Sequence, residues 1–329
     1  MQIKKEQIIL VLIILALILY LILRTQDGSH YKLPELPEVV EADISKIEIS
    51  KHGTSIVLDK KVDTWQIAPK GYPADQAMVK NMLDIIGKLT MTALVSESKN
   101  YHRYDLDDEK KIAVKAWAGS ALKREFETGK GAASYKHTFV RLPGDHRVYH
   151  AREYFRGNFD RTVDDLRDKS VLSFEKDEIR EIYLNRVDKS ITLTQKKIPL
   201  EESAKEKDDA KKAEPQKEET IWESADGLKG DKTNIDKLLT AFYALRCESW
   251  IEDREKESFT DPICTVQLKG EKEYTVNIFA KKKSEDQEHP AVSSENDYPF
   301  MLPQWRVRDI VEIVDGLIAT KKTTDKAKT

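Results

Sequence analysis

The chain has 329 residues, of which 34% are charged, with a formal net charge of −3 at pH 7 and both signs mixed along the sequence. Nucleic-acid-binding proteins usually carry a basic face, so this balance argues against nucleic acid as a partner. The chain also has no polybasic segment for anionic lipid headgroups. After its amino-terminal segment, it is long enough for one or two folded domains.

The first element of the chain is an uninterrupted apolar run at residues 8–23, IILVLIILALILYLIL, without charge, Gly or Pro. A helix that crosses the hydrocarbon core needs about 20 apolar residues, with about 17 as the lower limit. Because Arg24 can extend its charged end to the headgroups and Tyr20 suits the interface, we expect a transmembrane anchor over residues 8–24. A cleaved signal peptide is the alternative, but no small-residue cleavage site follows the run.

The basic residues around this run predict its orientation. Lys4 and Lys5 precede the run, whereas Arg24 and Lys32 follow it. This small bias favours a cytoplasmic amino terminus, because Lys and Arg concentrate on the cytoplasmic side of a membrane. We therefore expect a single-pass protein of the inner (cytoplasmic) membrane whose bulk is extracytoplasmic, in the periplasm.

Two stretches of the chain are similar to each other, which predicts a duplication. Residues 43–61 and 178–197 each consist of two alternating runs around a polar turn, the pattern of a β-hairpin. A tryptophan strand follows each hairpin, with Trp65 in the first copy and Trp222 in the second.

A helix follows the tryptophan strand in each copy. Asp75 and Asp231 are the predicted N-caps, because a carboxylate accepts hydrogen bonds from the amides of the first helical turn. Apolar residues then recur at helical spacing, so one face of each helix is expected to pack against a core. Each copy continues with a short strand, a polar loop, a pair of alternating strands and a closing helix, predicted at residues 159–168 and 303–318.

Strands outnumber helices and are mostly joined by tight turns, so the sequence predicts the α+β class. We expect one N-terminal transmembrane helix followed by two tandem copies of an antiparallel sheet with helices on one face. The segment 199–219 is almost wholly charged or small, and we interpret it as a solvated insertion in the second copy. The expected domains are a cytoplasmic N-terminus 1–7, the anchor 8–24, a stalk 25–37, repeat 1 over 38–172, repeat 2 over 173–320, and a polar tail 321–329.

Three segments resemble a bacterial domain-of-unknown-function family. They are GYPADQAMVKNMLDIIGKL (71–89), NYHRYDLDD (100–108) and HTFVRLPGDHRVYHA (137–151). The family occurs beside ABC-2-type transporters of the gliding-motility kind, and its members are typically single-anchor proteins with a long extracytoplasmic part. The resemblance implies a role beside an exporter or envelope complex, and it implies no active-site residues.

Three of the seven histidines are close together in the sequence, around a hairpin tip predicted at Pro143-Gly144. A two-residue tip places His137 opposite His150, and two imidazoles with a carboxylate could hold a metal ion. A longer tip shifts this pairing, and His146 lies too far from His150 to share an ion. We interpret all three as ordinary strand histidines.

The sequence contains no motif for catalysis or cofactor binding. The segment TGKGAAS (128–134) lacks the spacing of a phosphate-binding P-loop, and we expect a turn there. Cys247 and Cys264 are either buried thiols or a disulfide, which an oxidising compartment permits. The five tryptophans are expected in cores. We therefore predict no catalytic, cofactor-binding or metal-binding residues, and no cofactor.

These observations predict a non-enzymatic, membrane-anchored extracytoplasmic accessory protein whose sheet edges or faces bind a partner protein. The resemblance makes subunits of an ABC-type transporter, or an envelope complex, the expected partner. One alternative is an envelope hydrolase acting on peptidoglycan or polysaccharide, with catalytic carboxylates among the many acidic residues. The other is a ligand-binding sensor module with a groove between the copies. The sequence identifies no small-molecule ligand.

Overall fold

The computed structural model describes residues 9, 12–20, 31–199 and 218–319. Residues 12–20 form a helix, α1, whose large apolar side chains are exposed. Within the described ranges, no helix combines the length and the apolar character that crossing a bilayer requires. The transmembrane helix predicted over residues 8–24 is therefore not shown. Part of that segment lies outside the described residues, as do the predicted N-terminus 1–7, most of the insertion 199–219 and the tail 321–329.

The chain divides between Asp168 and Lys169 into two compact units, which we term unit 1 and unit 2. The sequence pattern predicts this boundary after residue 172. Each unit contains an antiparallel sheet with helices packed against it. The predicted mixture of antiparallel sheet and helices is thus confirmed.

Unit 1 contains a sheet of nine strands in the spatial order β4-β3-β2-β1-β6-β7-β8-β9-β5. Its first long helix, α2 (Gln76–Lys88), begins at the predicted N-cap Asp75, whose carboxylate accepts hydrogen bonds from the amides of Ala77 and Met78 at 3.0 and 3.2 Å. The strands are β1 (Lys46–Lys51), β2 (Thr54–Lys61), β3 (Thr64–Ala68), β4 (Tyr72–Pro73), β5 (Met91–Ser96), β6 (Ile112–Ala118), β7 (Ala121–Gly131), β8 (His137–Arg141) and β9 (Val148–Arg152).

The single closing helix predicted at residues 159–168 is wrong. Two short helices, α3 (Arg156–Phe159) and α4 (Val163–Leu166), replace it. The helix is interrupted because Thr162 and Asp165 form a capping box, in which each side chain bonds the backbone amide of the other, and this starts a new helix.

Unit 2 contains an eight-stranded sheet in the order β13-β12-β11-β16-β17-β18-β19-β15, and a separate pair, β10 with β14. Helix α5 (Lys232–Phe242) begins at the predicted N-cap Asp231, and the closing helix predicted at 303–318 is confirmed as α6 (Gln304–Ala319). The strands are β10 (Ser170–Ser173), β11 (Glu181–Arg186), β12 (Lys189–Pro199), β13 (Glu218–Ser224), β14 (Ala244–Arg246), β15 (Ser249–Trp250), β16 (Cys264–Lys269), β17 (Glu273–Ile278), β18 (Glu288–Ser293) and β19 (Phe300–Pro303).

Eight strands follow the same spatial order in both units. Strands β3-β2-β1-β6-β7-β8-β9-β5 of unit 1 correspond to β13-β12-β11-β16-β17-β18-β19-β15 of unit 2. The predicted order of elements lacks one hairpin per copy, β8–β9 and its counterpart β18–β19, although a tip is predicted at Pro143-Gly144.

Each unit has its own apolar core between the sheet and its helices. In unit 1, helix α2 buries Val79, Met82 and Ile86 against one sheet face. In unit 2, helix α5 contributes Ile235 and Leu238 to the corresponding core. Burial of this kind stabilises a fold by about 0.8 kcal/mol per CH₂ group. The opposite sheet face, turned away from these helices, we term the open face.

Part of the predicted stalk is attached to unit 1. Leu33 and Leu36 pack against its core. The guanidinium of Arg124, on β7, is buried and donates hydrogen bonds to the carbonyls of Pro37 at 2.7 Å and Ile86 at 3.2 Å. Burial lowers the pKa of Arg124 from its usual value.

Candidate functional site

Strand β5 forms one edge of the unit 1 sheet. Its six residues, MTALVS, carry no charge, and all except Met91 are half-buried. In the described part of the chain, β5 pairs with β9 alone. Two bulges, at Thr92 and Val95, interrupt this pairing, and the extra residue of a bulge is left unpaired. Bulges increase the local twist of a strand, but no described strand lies on the outer side of β5, so its outer backbone groups remain able to bond another strand.

The other sheet edges among the described residues are shorter or covered. Strand β4 has two residues, including Pro73, which has no amide hydrogen. Strand β15 also has two residues. Strand β13 is longer, but the backbone of Trp222 and Ser224 already bonds residues 228–230. Among these edges, β5 is the long uncharged one.

Four aromatic rings form a row in space on the open face beside β5. Tyr104 packs on Phe139 with ring centroids 4.9 Å apart, and Phe139 packs on His150 at the same distance. His150 stacks on His137 at 5.2 Å with an interplanar angle of 20°. We term these four residues the ring ladder. A pair of Phe or Tyr rings such as Tyr104 and Phe139 contributes about 0.5–1.5 kcal/mol beyond area burial.

The two histidines of the ladder are diagonal neighbours and not opposite partners. His137 pairs with Arg152, and Phe139 pairs with His150, because the hairpin tip is longer than two residues. Burial, with a smaller effect of the nearby His137, lowers the pKa of His150, so the neutral imidazole is favoured. Among the described residues, no group of three or more His, Cys, Asp or Glu could hold a metal ion.

An ionic cluster continues the open face next to the ring ladder. The guanidinium of Arg141 lies 4.2 Å from the ring centre of Tyr101 and pairs with Glu127, directly opposite on β7. The ammonium of Lys111 reaches the Glu127 carboxylate at 3.0 Å and the Asp108 carboxylate at 2.6 Å. The hydrogen bond to Glu127 raises the pKa of Arg141, and that to Asp108 raises the pKa of Lys111.

The tip of the β8–β9 hairpin is held by Asp145. Its carboxylate accepts hydrogen bonds from the backbone amide of Arg147 at 2.9 Å, from the guanidinium of Arg147 at 2.9 Å and from the hydroxyl of Tyr149 at 2.8 Å. Chiefly the Arg147 side chain holds the pKa of Asp145 well below its usual range. Burial, with the Asp145 hydrogen bond, raises the pKa of Tyr149 to about 12. The tip is therefore a fixed support for the strands that carry the ring ladder.

Residues 65–262, which contain β5, the ring ladder and the ionic cluster, match a family described as Domain of unknown function (DUF4340). The match covers more than half of the chain. The chain belongs to this family. No curated protein and no solved structure matches the chain. The DUF4340 match agrees with the resemblance to a family of unknown function, and it shows no link to ABC-2-type transporters.

The predictions for the cysteines and the tryptophans are confirmed at some positions and wrong at others. Cys247 and Cys264 are both buried and do not form a disulfide. Burial raises the pKa of the Cys264 thiol to about 12. Trp65 and Trp222 are buried as predicted, whereas Trp305 is 54% exposed, so a core position is wrong for that residue.

The sequence pattern predicts a strand at residues 93–97 but no role for it. The sequence does contain a signal for an edge that accepts another strand, because the six residues of β5 carry no charge. Natural edge strands usually carry Lys, Pro or other residues that prevent further pairing. Unit 1 thus offers backbone hydrogen-bonding groups at an open edge, beside a half-buried aromatic and ionic face. Main-chain bonds of this kind supply affinity, and neighbouring side chains supply specificity.

Proposed function

We propose that the chain is a non-enzymatic, membrane-anchored extracytoplasmic protein that binds a partner protein by strand addition at β5. The observation that carries this proposal is the six-residue uncharged edge of the unit 1 sheet. An exposed row of unpaired amides and carbonyls is a template for another strand, and most natural edges are shortened or charged to prevent this. The partner therefore presents an extended segment.

The side chains on and near β5 indicate which kind of partner segment fits this edge. Ala93 and Val95 are followed by the ring ladder on the open face, so the neighbouring surface is aromatic and half-buried. Beyond the ladder lie both charges of the Arg141–Glu127 pair. A strand added at this edge lies on the side of β5 away from β9, so its open-face side chains meet Ala93 and Val95, and alternating apolar side chains fit these positions.

The apolar run at residues 8–23 supports attachment to the inner membrane, with the two units on the extracytoplasmic side. The family resemblance makes a subunit of an ABC-type transporter, or another envelope complex, the first partner to test. A reporter enzyme fused to the carboxyl terminus is expected to be active only outside the cytoplasm. Activity confined to the cytosol contradicts this orientation.

The binding test compares two equivalent positions. Ala93 pairs with His150 in unit 1, and Ser249 pairs with Met301 at the corresponding place in unit 2. A lysine on an edge strand opposes the approach of another strand. In cells, affinity capture of the tagged full chain after crosslinking is expected to recover the partner with wild type and Ser249→Lys. Recovery with Ala93→Lys is expected to fall about tenfold, as for a loss of about 1.4 kcal/mol.

Thermal unfolding of each variant checks that the fold is retained, and Ser96→Lys gives a second substitution on β5. Equal recovery of the partner by wild type and by both folded β5 variants contradicts strand addition at this edge. Capture of the chain alone, with no partner in any sample, contradicts the accessory function.

A further inference from the structure

A cavity of about 330 Å³ opens in unit 2 beside β15, and its position corresponds to the ring ladder of unit 1. The strand registers establish this correspondence. In each unit, a row of four buried residues crosses four neighbouring strands, and each residue of the row pairs with the next. The row is Ile112, Thr128, Val140 and Tyr149 in unit 1, and Cys264, Ile278, Ala291 and Phe300 in unit 2.

The pair next to this row differs between the units. In unit 1 it is Phe139 with His150, two members of the ring ladder. In unit 2 it is Pro290 with Met301, and both of these residues line the cavity. A pyrrolidine ring and a thioether thus replace two aromatic rings in tilted contact, and the space beside them is open.

Two aromatic side chains form walls of the cavity, Trp250 and Phe259. The ring of Trp250 packs edge-on against Phe300 at 6.2 Å, and the ring of Phe259 packs against Phe279 at 5.3 Å. Each wall is therefore held in place by a second ring outside the cavity. Packed walls of this kind give a largely pre-formed site.

Charged groups of both signs surround this apolar space. The guanidinium of Arg254 lies 3.8 Å from the ring centre of Phe259 and donates a hydrogen bond to the carbonyl of Ser258 at 2.9 Å. Lys282 and Asp286 also line the cavity, with Glu252 and Asp253. Three acidic and two basic side chains line the cavity, so the two signs nearly cancel, and this arrangement favours a neutral ligand over an anion.

We propose that this cavity binds a neutral planar aromatic ring of the indole or phenol type. Apolar cavities of about 150 Å³ already hold benzene, and ligand cavities begin at about 300 Å³, so the volume suits one or two rings. Trp250 and Phe259 offer edge-to-face and offset stacking, and the Met301 sulfur offers a favourable contact with an aromatic ring. The ring comes from a free small molecule or from an aromatic side chain of a polypeptide. This site is independent of β5.

Methyl-labelled methionine reports on the cavity directly, because Met301 is the only methionine after residue 91. In NMR spectra of the full chain in lipid nanodiscs, indole is expected to shift the Met301 methyl resonance upfield through its ring current. The methyls of Met78, Met82 and Met91, all in unit 1, serve as internal controls and are expected not to move. Met301→Leu assigns the resonance.

Pro290→Phe restores a ring at the place where unit 1 carries Phe139, and it is expected to weaken indole binding about tenfold or more. Met301→Phe is a second filling variant, with binding read from the indole signals by saturation transfer and folding checked by circular dichroism. A tripeptide with a central tryptophan tests the polypeptide source. Binding of indole or of the tripeptide at Met301 supports the proposal. It is overturned if neither ligand shifts Met301, or if the folded filling variants bind indole like wild type.

Discussion

Units 1 and 2 share the order of eight strands but differ where that order ends. In unit 1 the terminal strand, β5, has six residues, and stacked rings occupy the adjoining open face. In unit 2 the corresponding strand, β15, has two residues, and the adjoining space is a cavity. The two units therefore share one sheet architecture, and this end of the sheet is where we propose separate binding sites.

The middle of the open face differs in the same way. Lys115 pairs with Glu125 at 3.5 Å in unit 1, whereas Gln267 and Thr275 occupy the corresponding pair in unit 2. The cores keep their apolar character in both units, because loss of packing there costs stability in either copy. The open faces differ more between the units, because a packed cluster around Tyr104 and Val148 covers only part of the open face of unit 1.

The largest expected effect comes from Gly129, which lies against the turn that carries the first ring of the ladder. A methyl group at this position meets the backbone carbonyl of Tyr104 and the side chain of Leu106. Backbone cannot move aside cheaply, so Gly129→Ala is expected to lower the free energy of unfolding by about 3 kcal/mol. Gly157→Ala, where nothing lies within 4 Å, is the matched control and is expected to cause no loss in urea unfolding.

Removal of one ring from the ladder measures how much the ladder, which unit 2 lacks, stabilises unit 1. Phe139 is half-buried between Tyr104 and His150, so Phe139→Ala is expected to cost about 2 kcal/mol in urea unfolding, less than a fully buried Phe. Tyr135→Ala, at a position that is 77% exposed, is expected to stay within about 0.5 kcal/mol of wild type. Equal losses in the two variants count against a stabilising ladder.

The ring ladder also predicts a pH dependence. Because the pKa of His150 is lowered in the folded chain, the unfolded chain binds more protons just below the usual histidine pKa of about 6.5. The stabilising contribution of the neutral imidazole is complete above this pH and is lost as the pH falls through and below it. Urea unfolding from pH 7.5 to pH 5.5 measures this slope. His150→Phe is expected to reduce it, whereas His146→Gln, at the exposed tip, is expected to keep it.

The smallest effect concerns two hairpin turns with strained backbone. Val62 in unit 1 and Val187 in unit 2 have φ angles of 55° and 54°, and they are 92% and 69% exposed. A β-branched residue is disfavoured in this left-handed region, whereas Asn tolerates it. Val62→Asn and Val187→Asn are each expected to raise the free energy of unfolding by about 0.5–1 kcal/mol. A loss of thermal stability in both variants contradicts this interpretation of the turns.

Local patterns predicted much of the fold. Asp75 and Asp231 start helices because capping depends only on residues within one turn. The repeat was also visible, since alternating strands and helical stripes leave a periodic pattern. The single closing helix predicted at residues 159–168 is wrong because the Thr162–Asp165 capping box interrupts an otherwise helical stretch.

The candidate site could not be predicted to the same degree, because it depends on contacts between residues distant in sequence. The stacking of His137 on His150 follows from the length of the hairpin tip, which sets the register and was left open by the sequence. The edge position of β5 follows from the strand order. The chain leaves β4 at one end of the sheet and forms β5 at the other end, where β5 pairs with β9. The correspondence between the cavity and the ring ladder depends on the strand registers of both sheets, which the sequence does not specify.

The most direct test of strand addition is photo-crosslinking in cells from Ser96 on β5 and from Ser249 on β15, each replaced by a benzoyl-phenylalanine residue. The account predicts a discrete heavier adduct, identified by mass spectrometry as an envelope membrane protein, from position 96 and not from position 249. No adduct at position 96, or the same adduct from both positions, contradicts it.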